Sequence, residues 1–264
     1  MTNDTDPNHS EKPLISDAFY RLLGRVRSGY ACDPEKLHIT ELSREQVDTL
    51  RTSAVQNNQG KIVLHNADFR NMTFPEGADF SKVVFTGTSQ FIGTVFQGPT
   101  DFSKSIFLHT AKFHKTSFQD TVSFAHTVFA ENTAFSHAEF HRKTGFGETT
   151  FVGYIQFDKA IFHDVTWFGN ATFKGMASFN EIIFHNFTGF AGASFERTAS
   201  FYKSKFTRGA RFDNAVFTGE TVFSRARFTE DGVFIGSKFV HGTDFSSAKF
   251  TNGAKLVYVT PPSQ

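Results

Sequence analysis

From Phe69 to Phe250, phenylalanine recurs at gaps of five and six residues in strict alternation, through 34 positions without an insertion or deletion. The run is an 11-residue unit repeated 17 times, and only Phe19 and Phe187 stand outside its register. Steps of five and six do not follow one stripe of a helix with 3.6 residues per turn, which excludes a helical bundle. The residue two before each Phe is small or β-branched. Ala holds 13 of the 34 slots, Thr 11 and Ser 4, and only Met72, Ile155 and Ile182 are larger than Val. Positions two apart on a strand share a face. Each step therefore turns one large and one small side chain inward, with the residue between them outward. The pattern predicts a β-solenoid whose core is Phe69, Phe74, Phe80, Phe85, Phe91, Phe96, Phe102, Phe107 and their successors.

The coil period follows from which residues resemble one another, because ladder neighbours share an environment. At 22-residue spacing the residue after alternate Phe reads Pro75, Gln97, Gln119, His141, His163, His185, Thr207, Thr229, Thr251, which groups into like runs. The interleaved set, Thr86, Leu108, Ala130, Val152, Lys174, Glu196, Thr218, Val240, does not mix with it. Ser81, Ser103, Ala125, Gly147, Gly169 and Ala191 form a further run, all small. The expectation is a four-sided coil of 22 residues, about 8.5 coils in all, with the extra residue of each six-step absorbed at a corner. At ~4.8 Å between strands the rod is roughly 40 Å long.

These features resemble the pentapeptide-repeat family, through Ala67-Asp68-Phe69, Ala78-Asp79-Phe80, Thr100-Asp101-Phe102 and Thr243-Asp244-Phe245. The likeness covers residues 64–254 and is closest to a Phe-rich subgroup with alternating five and six spacing. It implies a right-handed quadrilateral parallel β-helix. The unbroken period leaves no inserted loop to present catalytic residues, so a non-enzymatic protein is expected.

The rest of the composition narrows the function. Lys and Arg number 27 against 26 Asp and Glu, a formal charge of +1, which argues against a strongly basic nucleic-acid binder and against an acidic nucleic-acid mimic. A single cysteine excludes a disulfide framework within the chain. Residues 1–12 are polar and no apolar run approaches ~20 residues. A soluble, cytoplasmic protein is expected, without membrane contact and without a cofactor.

Residues 1–12 are read as a disordered tail and 13–60 as a helical N-terminal cap. Ile15, Phe19, Leu22, Leu23 and Val26 carry one amphipathic helix, and Ser43-Arg44-Glu45-Gln46 is a capping box ahead of a second. A cap closes the open end of a solenoid against edge pairing. Residues 255–264 hold Leu256-Val257-Tyr258-Val259 before Pro261-Pro262, a strand expected to cap the last coil or to join two chains as a homodimer.

Three outward groups are candidates for contact or ligation. His141, His163 and His185 should stack ~4.8 Å apart. They are weak metal candidates, because a flat ladder holds imidazoles parallel whereas tetrahedral zinc needs them to converge. Val84, Ile106, Leu108, Val128 and Val152 form an apolar stripe that the helix through Phe19 and Leu22 or a partner would cover, unless it is simply a set of exposed strand formers. Lys203, Lys205, Arg225, Arg227 and Lys249 concentrate the positive charge of residues 197–255, which carry 10 basic against 5 acidic side chains. Cys32 with His38 lacks a third catalytic partner, and no nucleophile elbow or phosphate-binding glycine loop is present.

The function expected is a scaffold whose flat faces bind an unidentified protein partner. The alternative implied by the resemblance is a duplex-DNA mimic that protects a type II topoisomerase, disfavoured here by the charge. An ice-binding solenoid is more remote, since most repeated Thr point inward.

Overall fold

The computed structural model describes residues 42–53, 55–56, 62–252 and 256–257. Nearly every repeat step yields a strand of only two residues, such as Thr73–Phe74 or Ala78–Asp79, followed by a corner; Val83–Thr86, with four, is longer. These strands stack into four sheets of ten, nine, nine and eight strands, about nine turns of solenoid. Pairing is parallel at 22-residue spacing: Phe74 lies on Phe96, Val84 on Ile106, Ala78 on Thr100 and Ala111 on Thr133. The 22-residue coil is therefore observed. We name each face after its first Phe: the Phe69, Phe74, Phe80 and Phe85 faces, in order around the coil.

The inward Phe rings form one column per face. Within a column they lie near parallel, as Phe91 and Phe113 do at 4.7 Å and Phe85 and Phe107 at 4.3 Å, except that Phe69 is tilted by 35° on Phe91 at the first coil. Between the opposed Phe69 and Phe80 columns they meet edge to face, Phe102 and Phe113 at 5.6 Å and 87°. Both arrangements suit the ring quadrupole. The Phe69 column thus stacks on Phe91 and Phe113, with Phe80 and Phe102 across the core.

The two step lengths make two kinds of corner. In the five-step, the second residue after Phe has positive φ and the third donates its N–H back to the Phe carbonyl, as from Thr116 to Phe113 at 3.2 Å. Lys82, Lys104, Lys115, His126, Glu148 and Lys159 occupy this left-handed position. The six-step lets the chain round its corner mostly without a left-handed residue. There the inward Thr hydroxyl secures the corner, as Thr144 Oγ1 donates to the Arg142 carbonyl at 3.0 Å.

At the N-terminal end, helix α1 (Arg44–Ser53) follows the predicted capping box: the Ser43 N–H donates to Gln46 Oε1 at 2.9 Å and the Gln46 N–H to Ser43 Oγ at 3.3 Å. Leu42 and Val47 are buried in the Phe core, so this segment closes the first coil. Strand β1 (Val55–Gln56) then pairs antiparallel with β2 (Ile62–His65), the exception to the parallel rule. Leu64 of β2 takes the seat beneath Phe85 with an offset of 21 residues. At the other end Leu256–Val257 pairs with Gly232–Val233 at an offset of 24. Phe239, Phe245 and Phe250 there are only partly buried. The tail 1–12, the helix through Ile15 to Val26, and Tyr258 to Gln264 lie outside the described residues.

Candidate functional site

Because the core is uniform, any specificity lies in the outward ladders. The His ladder sits just past the Phe74 face. His141 and His163 stack at 4.9 Å and 11°, and His163 and His185 at 5.2 Å and 12°. Desolvation, then the neighbouring His141 and His185, push the His163 pKa below the usual imidazole value, with Glu139 opposing. Glu139 Oε2 lies 3.5 Å from His141 Nε2, and a ligand atom from each of Glu139, His141 and His163 falls within 4.8 Å of the others. Sequence reasoning missed Glu139, which precedes Phe140 on the same strand. Near-parallel rings direct their lone pairs side by side, so a cation at ~2 Å from both nitrogens would require one ring to turn.

The apolar stripe divides. Val84 is 7% exposed, so it belongs to the packed edge of the first coils, and Ile106 and Val128 are half-buried. Leu108 and Val152 are exposed at 43% and 42%, but Ala130 separates them in their ladder. Exposed apolar surface continues from Val152 to Tyr154 and Met176, two residues the sequence pattern had not singled out. The Phe19 helix, the expected cover, lies outside the described residues.

The basic residues gather as the sequence suggests. Lys205, Arg227 and Lys249 are successive rungs of one ladder on the Phe74 face. Lys203 and Arg225 stand on the corner beside it, and with Lys205 and Arg227, but not Lys249, they line a shallow groove of about 390 Å³ shared with Lys159, Glu181 and Ile183.

A fourth feature was only half legible. On the Phe80 face the run of small residues makes a floor, and Trp167 lies across it. An added Cβ would meet the indole at 2.2 Å on Gly169 and at 2.3 Å on Gly189, so both glycines are required by the close approach. The indole remains 44% exposed. Gly147 and Gly169 were visible as a small run, and Trp167 is the one tryptophan of the chain. What joins them is the 22-residue coil, which sets Trp167 beside Gly189 and Gly145 in the ladder.

No helix among the described residues is long and apolar enough to cross a membrane. No curated protein and no solved structure matches the chain. The family description "Pentapeptide repeats (9 copies)" matches residues 61–106, 124–172, 168–215 and 201–249, most of the solenoid. Repeat register, four stacked sheets and this match agree, and the chain belongs to the pentapeptide-repeat family.

Proposed function

We propose that the protein is a non-enzymatic scaffold of the cytoplasm that binds a protein partner on its Phe80 face, with Trp167 as the anchor. The observation that supports this reading is the indole lying flat and half-exposed on glycine. Tryptophan is enriched among the residues that dominate binding energy, and a flat ring costs little entropy to immobilise. Phe187, one of the two Phe outside the repeat register, borders the same face and rests near Gly209. A flat, partly apolar platform on a rigid rod suits a partner with a complementary flat surface.

The test is affinity capture with the full chain against Trp167→Ala, with Ile106→Lys/Leu108→Lys as a second variant. A partner lost with Trp167→Ala but kept with the double variant supports the Phe80 face. Loss with the double variant alone moves the contact to the apolar stripe. Equal recovery with all three sinks the reading. A supercoiling assay with a type II topoisomerase, with and without quinolone, separates it from the DNA-mimic alternative. The charge of +1 and the basic groove weigh against that alternative.

A further inference from the structure

Stacked coils place residues 22 apart side by side, and several pairs so placed are complementary. His109 faces Glu131 at 3.1 Å, His126 faces Glu148 at 3.3 Å and Arg208 faces Glu230 at 3.2 Å. Like charges also meet elsewhere, as Asp79 does with Asp101, but one corner gathers five cations. Lys205, Arg227 and Lys249 stack cation on cation, and Lys203 stacks with Arg225 one ladder away. Like charges directly opposite on neighbouring strands are destabilising. All five side chains are exposed, and among the described residues none has a carboxylate within ion-pair distance. The nearby Arg208 and Arg211 do, paired with Glu230 and Asp213. Lys203 and Arg225 are also steadied over the Tyr202 ring, at 5.1 and 5.8 Å from its centroid.

We propose that this corner is a binding site for a compact ligand carrying two or more phosphate groups. The cations stand in two adjacent columns at the strand spacing of ~4.8 Å, and the groove between them is lined by Lys159, Lys203, Lys205, Arg225 and Arg227. An extended acidic peptide offers one charge per side chain, with same-side residues ~6.6 Å apart. Linked phosphates place several charges within the reach of one corner. The two guanidinium groups can each grip a phosphate with two parallel hydrogen bonds. Glu181 bounds the site towards the N-terminus, since it lies between Lys159 and Lys203 in the corner ladder. Binding would relieve the repulsion that the sequence tolerates.

The test is calorimetric titration of the full chain with inorganic triphosphate at physiological salt. The expected result is saturable binding of one ligand per chain, weakened by about tenfold or more in Lys205→Gln/Arg227→Gln. Arg208→Gln/Arg211→Gln removes the same charge from the next corner and face of the solenoid and should leave binding unchanged. Adenosine triphosphate distinguishes the source. Affinity equal to triphosphate means that phosphates alone are read, and tighter binding means that a nucleotide is. Absence of binding, equal losses in the two double variants, or equal affinity for citrate would each overturn the proposal. Duplex DNA bound where triphosphate is not would overturn it too. Melting gives an independent reading: Arg227→Gln should raise the melting temperature of the free protein, and a fall would remove the argument from repulsion.

Discussion

The hydroxyl of Thr116 donates to the carbonyl of Phe91, 25 residues earlier and one coil below, at 2.6 Å. That carbonyl already accepts the turn N–H of Thr94 at 3.1 Å, so the Thr satisfies its second lone pair. Thr94, Thr127 and Thr149 repeat the arrangement on Phe69, Phe102 and Phe124. Ser237 reaches the Phe212 carbonyl in the same way, whereas Ser105 bonds the Phe102 carbonyl of its own coil at 2.6 Å. Inward Thr at the five-step corners therefore ties adjacent coils together.

Thr116→Val keeps the shape of the slot and removes the donor. The loss expected is about 0.5–1.5 kcal/mol, measured by urea denaturation. Ser105→Ala should cost a similar amount without loosening the tie between coils, because its bond is local. No change in Thr116→Val would mean that the buried hydroxyl contributes nothing net.

The five-step corners make a second prediction. Lys115 has φ of 56°, in the left-handed region that costs a side-chain-bearing residue about 1–2 kcal/mol. Lys115→Gly relieves this strain but loosens the unfolded chain by about 0.5–1 kcal/mol. A net gain of about 0.5–1 kcal/mol is expected. Gly192→Ala should go the other way. Its φ is 69°, and the added Cβ would come 2.3 Å from Asn170 Oδ1. Denaturation midpoints of opposite sign would bear this out; equal signs would not.

Phe69 on Phe91, the 22-residue coil and the cation ladder through Lys205 were all legible in the sequence, because stacking makes neighbours out of residues at fixed spacing. Periodicity says which residues share a ladder, but it is silent on rotamers and on carbonyl partners. That is why the destination of the Thr116 hydroxyl, the turn of the Trp167 ring across Gly169 and Gly189, and the gathering of Glu139 with His141 and His163 were not. Val84 was placed outward correctly by alternation, yet it is buried, since alternation does not count what packs over the first coil.

The Trp167 platform can be read optically, because the chain has one tryptophan. Gly189→Ala puts a methyl 2.3 Å from the present position of Cζ3, so the indole must lift. Tryptophan emission should shift to the red and become more accessible to iodide. Melting temperature should change little, since only an outward contact is lost. An unaltered spectrum would mean that the ring does not rest on Gly189.

Imidazoles in contact, stacked at His163 and edge to face between His114 and His137, set the sign of a pH dependence. His163 and His114 both have pKa values lowered in the folded protein, first by desolvation and then by neighbouring cations. Unfolded, each takes up its proton near the ordinary histidine value of about 6.5. Between that value and the lower folded one, the unfolded chain binds more protons, so stability rises with pH across this window. Acidification therefore removes stability once the pH falls below about 6.5, before most carboxylates titrate. The melting temperature should be level above that point and decline below it. His114→Gln/His163→Gln, which keeps both positions polar, should flatten the decline. If the double variant loses stability on acidification as steeply as the native chain, the histidine ladders are not its source.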